Sequence, residues 1–252
     1  MSISFNILSY NQCDNIIKIL NSIRYANIKD YEVVIIDNNS TDFIFEKVKK
    51  YCEYYKINYK FVNNPFQKNQ SYSRNLGIEN STKEYIYFID GDDYLNSYSL
   101  SQIKLKDDVV FVPRIAKSLQ DKYYKININN IENKKFYSSP VGAFYKKDFL
   151  KKYNIWHEET KFYYYSEDLI FTALLFDVIL NNDVKYNYIE ENPLYFGIKR
   201  SSSTKVNKDL IKYYINMRDY ILEHIKTIHV AQFVFHKIGE LIEECSLNGN
   251  NK

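Results

Sequence analysis

IYFIDGDDYL, Ile86 to Leu95, is the stretch on which the reading of the fold turns. Tyr85 to Ile89 make a continuous apolar and aromatic run, the pattern of a central strand covered on both faces. The run ends at Asp90, Gly91, Asp92 and Asp93. In open α/β sheets the carboxyl ends of the strands border the crevice where ligands bind. Carboxylates this close raise one another's pKa and repel unless a cation offsets them. Their hard oxygens suit Mg²⁺ or Mn²⁺, ions that join a few carboxylates to substrate phosphates. A solvated acidic turn is the competing reading, because Asp and Gly are common turn formers. Both readings stand on this stretch alone. An EF-hand does not, since the loop positions that require Gly and Glu hold Leu95 and Ser101.

Upstream, Ile3, Phe5 and Ile7 alternate as a strand, Ser9, Tyr10 and Asn11 form a polar turn, and Ile16, Ile17, Leu20 and Ile23 follow at helical spacing. The unit then repeats. Tyr31 to Ile36 is an apolar run closed by Asp37, Asn38, Asn39 and Ser40, and Phe43, Phe45, Val48 and Tyr51 predict the next helix. A third run, Ile57 to Val62, stops at Asn63, Asn64 and Pro65, and a helix is expected over Ser71 to Glu79. Strands alternating with helices predict an α/β protein with a mostly parallel βαβ sheet and its loops collected on one edge. Neither GxGxxG after the first strand nor GxxxxGK followed by Ser or Thr occurs, so any bound phosphate must be handled by something else. A metal on the acids at 90 to 93 would serve.

Downstream, Val109 to Val112 reads as a short strand, Asp121 to Tyr137 as polar and irregular, and Phe144 to Tyr153 as helical. An aromatic stretch, Trp156 to Tyr165, precedes Ser166, Glu167 and Asp168 and the apolar helix Leu169 to Leu180. Ser166 suits the cap of that helix, and the two acids suit its first turn, where the dipole favours them. Capping and catalysis are equal readings for those acids. Val184 to Ile189 and Leu194 to Ile198 are strand-like and lead to Lys199, Arg200 and three serines. That basic loop reads either as a diphosphate clamp or as a solvated linker. From Leu210 to Leu241 apolar residues recur at helical spacing, which predicts one or two terminal helices. Packing on the main domain or a homodimer contact outweighs peripheral membrane association, because Glu and Lys are interspersed and build no strongly basic face. The division expected is a main domain over 1–205 and a helical extension over 206–252.

The chain has 252 residues, enough for one large domain with a sizeable core. Its 26 Tyr and 16 Phe supply much amphipathic ring surface, for which core packing is the commoner use. A net charge of +3 with interspersed signs argues against nucleic acid as a partner. Cys13, Cys52 and Cys245 are widely spaced and lack any CxxC, so no disulfide framework or zinc site is indicated and a cytoplasmic location fits. No leader pattern opens the sequence, and no apolar run is long enough to span a bilayer.

SYN at 9–11, EVVIIDNNSTD at 32–42, SRNLGI at 73–78, EYIYFIDGDDYL at 84–95 and SEDLIF at 166–171 together resemble family 2 glycosyltransferases of the GT-A fold. The matches run in motif order over residues 1 to about 200, which is more specific than any one of them. The resemblance implies a Rossmann-like, mostly parallel βαβ nucleotide-binding sheet with C-terminal helices. It implies inverting transfer of a sugar from a nucleotide-diphosphate donor to a glycan or glycoconjugate, lipid-linked or protein-linked, at the inner face of the membrane or in the cytoplasm. It carries roles to individual positions. Ser9 and Tyr10 would contact the nucleotide, Asp37 and Asn38 the base, and Arg74 the nucleotide or its phosphates. Asp90 and Asp92 would serve ribose and Mn²⁺ or Mg²⁺, with Asp92 or Asp93 the direct ligand, and Asp168 would be the general base. Lys199 and Arg200 would add positive charge at the leaving group. Relatives often have Asp where this chain has Asn38, and an amide both donates and accepts, so UDP- and dTDP-sugars are both open as donors. A strand ending in DxD also suits a haloacid-dehalogenase-type phosphatase, although that family places the motif near its first strand. A non-catalytic nucleotide-sugar or glycan-binding module is the third reading.

Overall fold

The computed structural model describes residues 1–64, 69–112, 114–117, 123–126, 139–157, 159, 167–189, 192–198 and 211–248. The chain forms two compact units. Met1–Asn127, Val141–Asn154 and Lys185–Lys199 make the first, and Ile128–Pro140, Ile155–Val184 and Arg200–Lys252 the second.

The first unit opens with β1 (Ile3–Ser9), α1 (Cys13–Tyr25), β2 (Tyr31–Asp37), α2 (Ile44–Tyr55), β3 (Tyr59–Asn63), α3 (Gln70–Asn80) and β4 (Tyr85–Asp90). After them come β5 (Tyr94–Leu95), α4 (Ser97–Ser101), β6 (Val109–Phe111), β7 (Arg114–Lys117), β8 (Tyr123–Ile126), β9 (Ala143–Lys146) and α5 (Lys147–Lys152). After α6 (Glu167–Asn181) of the second unit, β10 (Tyr186–Tyr188) and β11 (Tyr195–Ile198) return to it. The main sheet has seven strands in the order β10-β6-β9-β4-β1-β2-β3. β4, β1, β2 and β3 run parallel, whereas β9 is antiparallel to both β4 and β6. The mostly parallel α/β sheet predicted from alternating strand and helix patterns is present.

Burial explains why these runs are strands. Every residue of β1 is buried, polar Ser4 and Asn6 included, and the apolar faces of β2 and β4 are closed to solvent. Ser4 Oγ donates to Glu32 Oε1 at 2.6 Å and Asn6 Oδ1 accepts from Ser81 Oγ at 3.0 Å, whereas the buried Asn6 Nδ2 has no hydrogen-bond partner among the described residues. Helix α1 lays Ile16, Ile19, Leu20 and Ile23 into the core, which is one face at the 3.6-residue period. Part of the aromatic surplus goes inward here, while Tyr10, Tyr25, Phe43, Tyr54 and Tyr98 are exposed. Tyr87 meets Phe5 edge-on at 6.2 Å and stacks on Phe144 at 4.3 Å, and Tyr195 lies 6.4 Å away. Cys13 and Cys52 are free and buried, and burial pushes the Cys52 thiol up to about 12, so it behaves as a core residue.

The helix expected over Phe144 to Tyr153 needs correction. Ala143 to Lys146 form β9, and only Lys147 to Lys152 form a helix. Ala143, Phe144 and Tyr145 are buried, and both backbone edges find ladder partners in β4 and β6, a tertiary gain that outweighs local helical spacing. Part of the polar stretch read as irregular is strand β8, in a small second sheet of order β5-β11-β7-β8.

The second unit is helical among its described residues: α6 (Glu167–Asn181), α7 (Ile211–His224) and α8 (Ile228–Asn248). Tyr214, Met217 and Ile221 of α7 are buried, as are Val230, Val234 and Ile238 of α8. Asp177 on α6 fixes the turn between the last two helices: its Oδ1 accepts from the backbone N–H of Lys226 at 3.0 Å and of Thr227 at 2.6 Å. Of the one or two terminal helices expected from the sequence, two are formed. Among the described residues no helix is long and apolar enough to cross a membrane.

Candidate active site

The parallel register brings the predicted residues to one edge. Leu8 pairs with Asp90, Ser9 with Asp37, and Asp37 with Asn63, so the carboxyl ends of β4, β1, β2 and β3 present Asp90, Ser9, Asp37 and Asn63 side by side. Tyr10 follows β1 and is exposed.

The loops after β1 and β2 are clasped together. Asn11 N–H donates to Ser40 Oγ at 2.9 Å, and Thr41 N–H donates to Asn11 Oδ1 at 2.8 Å. Gln12 provides no side-chain cap for α1; Asp42 Oδ2 accepts from Cys13 N–H at 2.8 Å in its place. The Asp37 carboxylate accepts from Ser40 N–H at 3.1 Å and also from Ser40 Oγ. In the DNNSTD signature Asp37, Ser40 and Asp42 are thus scaffold, each side chain accepting an otherwise open backbone N–H.

Three features at this edge were not readable from local sequence. Asn64 is completely buried, and its Nδ2 donates to Asn38 Oδ1 at 2.8 Å and to Ser73 Oγ at 3.4 Å. Arg74 on α3 is only 1% exposed and sends Nη2 to Asp90 Oδ1 at 3.2 Å, so an ion pair joins α3 to the end of β4. Tyr195 is buried beneath the acidic turn: its hydroxyl donates to Asp93 Oδ2 at 2.5 Å and accepts from Asp90 N–H at 3.1 Å. Burial, and after it the charges of Asp90 and Asp93, hold the Tyr195 phenol well above its ordinary value, so it stays a donor at neutral pH. The partners are 102 and 105 residues apart, too far for any periodicity to reveal.

Gly91 is required for shape. A β-carbon there would lie 2.3 Å from the Leu8 carbonyl oxygen. Asp93 N–H closes the turn onto Asp90 O at 3.0 Å. Asp93 is buried, while Asp92 at the head of the turn and Asp90 are partly exposed.

Among the described residues no group of three or more His, Cys, Asp or Glu forms a complete metal cage. An ion shared with a diphosphate needs only one or two protein carboxylates, the remaining ligands being water and phosphate oxygens. The partly exposed, all-oxygen turn fits that shared mode. Ser9 Oγ at the end of β1, Asn64 Oδ1 after β3 and Ser71 Oγ on α3 are buried oxygens without a hydrogen-bond partner among the described residues. Such atoms are uncommon in folded proteins and call for a water or ligand donor. A cavity of about 500 Å³ opens next to Asp37, lined in part by Ser40, Phe43, Phe45, Phe61 and Asn63.

Asp168 stands in the first turn of α6, partly exposed, with its backbone carbonyl accepting from Thr172 Oγ1 at 2.7 Å. Ser166, Lys199 and Arg200 lie outside the described residues.

The model of Glycosyl transferase family 2 matches residues 4–170. This chain belongs to that family. The match runs from β1 into α6 and so spans both the strand-end acids and the Glu167-Asp168 pair, and family 2 membership displaces the phosphatase alternative. Among curated relatives, the poly(ribitol-phosphate) β-N-acetylglucosaminyltransferase TarP of Staphylococcus aureus is 26% identical over 71% of this chain and 59% of its own length. The glycosyltransferase SunS of Bacillus subtilis is 32% identical over 40% of this chain and 22% of its own. The chain therefore spans well under two thirds of these relatives. In fold it is similar to S. aureus TarS solved with UDP-GlcNAc, with a TM-score of 0.69 and 21% identity over 97% of this chain and 72% of that one. A Pyrobaculum calidifontis mannosyltransferase solved with GDP-Man and Mn²⁺ gives a TM-score of 0.61 and 13% identity over 97% and 73%.

Proposed function

We propose that this chain is an inverting glycosyltransferase that moves a sugar from a UDP- or dTDP-sugar to a hydroxyl of a glycan or glycoconjugate. The observation that carries the proposal is the row of Asp90, Ser9, Asp37 and Asn63 across four adjacent parallel strand ends in a family 2 chain. TarS was solved with UDP-GlcNAc, which supports a UDP-sugar as the first donor to try.

In this reading Ser9 and Tyr10 bind the nucleoside, and Asp37 and Asn38, braced by Asn64, face the base. The unpartnered Ser9 Oγ and Asn64 Oδ1 support a ligand donor there. Arg74 holds Asp90 in place for the ribose. Asp92 would hold Mn²⁺ or Mg²⁺ together with the donor diphosphate, and the ion, when bound, offsets the charge that develops on the departing phosphate oxygen. Asp168 takes the proton of the acceptor hydroxyl. The acceptor oxygen bonds to the anomeric carbon as the bond from that carbon to the diphosphate breaks, and its electron pair leaves with the nucleotide. Lys199 and Arg200 would add positive charge at that oxygen. The acceptor is a glycan or glycoconjugate, lipid-linked or protein-linked, and free buried Cys13 and Cys52 support a reducing, cytoplasmic setting.

The test is nucleotide release from UDP-, dTDP- and GDP-sugars, with and without Mn²⁺, for the wild type, Asp92→Ala and Asp168→Asn. Metal-dependent release that falls at least about 100-fold in both variants is expected, in the range reported for loss of an acid-base or charge-stabilising group. Donor binding without turnover against any acceptor would assign the chain to a nucleotide-sugar-binding module. Phosphate release from simple monoesters would overturn the proposal.

A further inference from the structure

Tyr195 touches the candidate metal turn without being one of its acids. It sits on β11, opposite Leu95 of β5 and Arg114 of β7, and its side chain is completely buried. The hydroxyl works in both directions. It donates to the Asp93 carboxylate at 2.5 Å and accepts the Asp90 N–H at 3.1 Å, which uses its one proton and one of its two lone pairs. Asp90 and Asp93 are the two ends of the turn, already joined by the Asp93 N–H to Asp90 carbonyl bond. A single phenol therefore grips both ends of a loop whose head is Asp92. A phenol meeting a buried carboxylate makes a charge-assisted bond, stronger than one between neutral partners. The ring itself is held edge-on by Tyr87 at 6.4 Å, so the clamp is anchored in the core of the main sheet.

This arrangement separates the two adjacent acids. Asp93 is buried with a carboxylate oxygen engaged by Tyr195, whereas Asp92 is partly exposed. We propose that Tyr195 is a positioning residue whose hydroxyl clamps the Asp90–Asp93 turn, with Asp93 as its acceptor rather than a metal ligand, so that Asp92 meets the metal-bound diphosphate in one orientation. The inference rests on the metal-dependent reading given above. Groups that orient a metal ligand from behind change metal affinity by roughly 10- to 100-fold when removed. The β11 strand also leads directly into Lys199 and Arg200, so the same strand bears the clamp and precedes the basic pair in sequence.

The experiment measures binding of Mn²⁺ in the presence of UDP, read from the electron paramagnetic resonance signal of free Mn²⁺, on the full chain. Tyr195→Phe, Asp93→Asn and Asp92→Asn are compared with the wild type, with circular dichroism confirming the fold of each. Tyr195→Phe removes the hydroxyl and keeps the ring, and should weaken Mn²⁺ binding roughly 10- to 100-fold. Asp93→Asn keeps an acceptor oxygen for Tyr195 while losing the charge, and should bind Mn²⁺ close to wild type, whereas Asp92→Asn should lose it. Wild-type affinity in Tyr195→Phe overturns the inference. So does an Asp93→Asn variant as weak as Asp92→Asn. If Tyr195→Phe does not fold, the Asp93→Asn and Asp92→Asn pair decides. A wild type that binds no Mn²⁺ with UDP would sink the metal reading itself, an outcome distinct from variants that fail to differ from a metal-binding wild type.

Discussion

Gly91 shows how a motif letter can be fixed by packing. Its neighbours in the motif are acids with chemical roles, yet the glycine is there because the Leu8 carbonyl and Ile16 leave no room for a β-carbon. Gly91→Ala is expected to cost about 1–3 kcal/mol, the range for overpacking against unyielding backbone, and to weaken Mn²⁺ binding by shifting the turn. Urea unfolding and metal titration check the two effects. At the opposite end of the strands, Glu32 is a buried acid with a purely structural part. Burial raises its pKa, but bonds from Ser4 Oγ, Thr82 N–H and Thr82 Oγ1 outweigh burial and hold the carboxyl below its ordinary value. A depressed folded-state pKa means that the carboxylate contributes stability above its unfolded value near 4.5 and loses it as pH falls through the lower folded value. The urea midpoint of the wild type should therefore drop below pH 4.5 more steeply than that of Glu32→Gln. An equal slope in the two proteins would show that Glu32 is not the group responsible.

Among the elements, strands buried on both faces were legible and short strands were not. β1, β2 and β4 announce themselves as apolar runs because helices cover both faces of a parallel sheet. β9 has only four residues and runs straight into α5, so Tyr145, Phe149 and Tyr153, spaced four apart, look like one helical face until β4 and β6 are in view. The site divides along the same line. Asp37, Asp90 and Asp92 lie within contiguous motifs at strand ends, where turn chemistry marks them. Asn64 and Tyr195 act through partners that only the tertiary fold supplies. The start of α1 shows the same dependence, for its cap comes from Asp42, 29 residues away. Asp42→Ala should cost about 1 kcal/mol, the usual worth of a capping oxygen, measured as a shift of the urea midpoint.

For the whole molecule, the order of motifs from Ser9 to Asp168 carried more information than any one of them, and the family match spans the same interval. A ligand that binds only the folded chain stabilises it by mass action, about 2.7 kcal/mol at 100 times its dissociation constant. Mn²⁺ with UDP should therefore raise the melting temperature of the wild type, and Asp92→Asn should show little of that rise. A rise equal in both would separate nucleotide binding from the acidic turn. The bonds that join Asn11 to Ser40 and Thr41, and Cys13 to Asp42, carry a dynamic consequence. Two loops that follow different strands share their hydrogen bonds, so neither can release a backbone amide without breaking bonds to the other. The amides of Asn11, Cys13 and Thr41 are then members of one cooperative opening unit. In hydrogen-deuterium exchange they should lose protection together, at one common opening free energy, and Asp42→Ala should lower that free energy for all three.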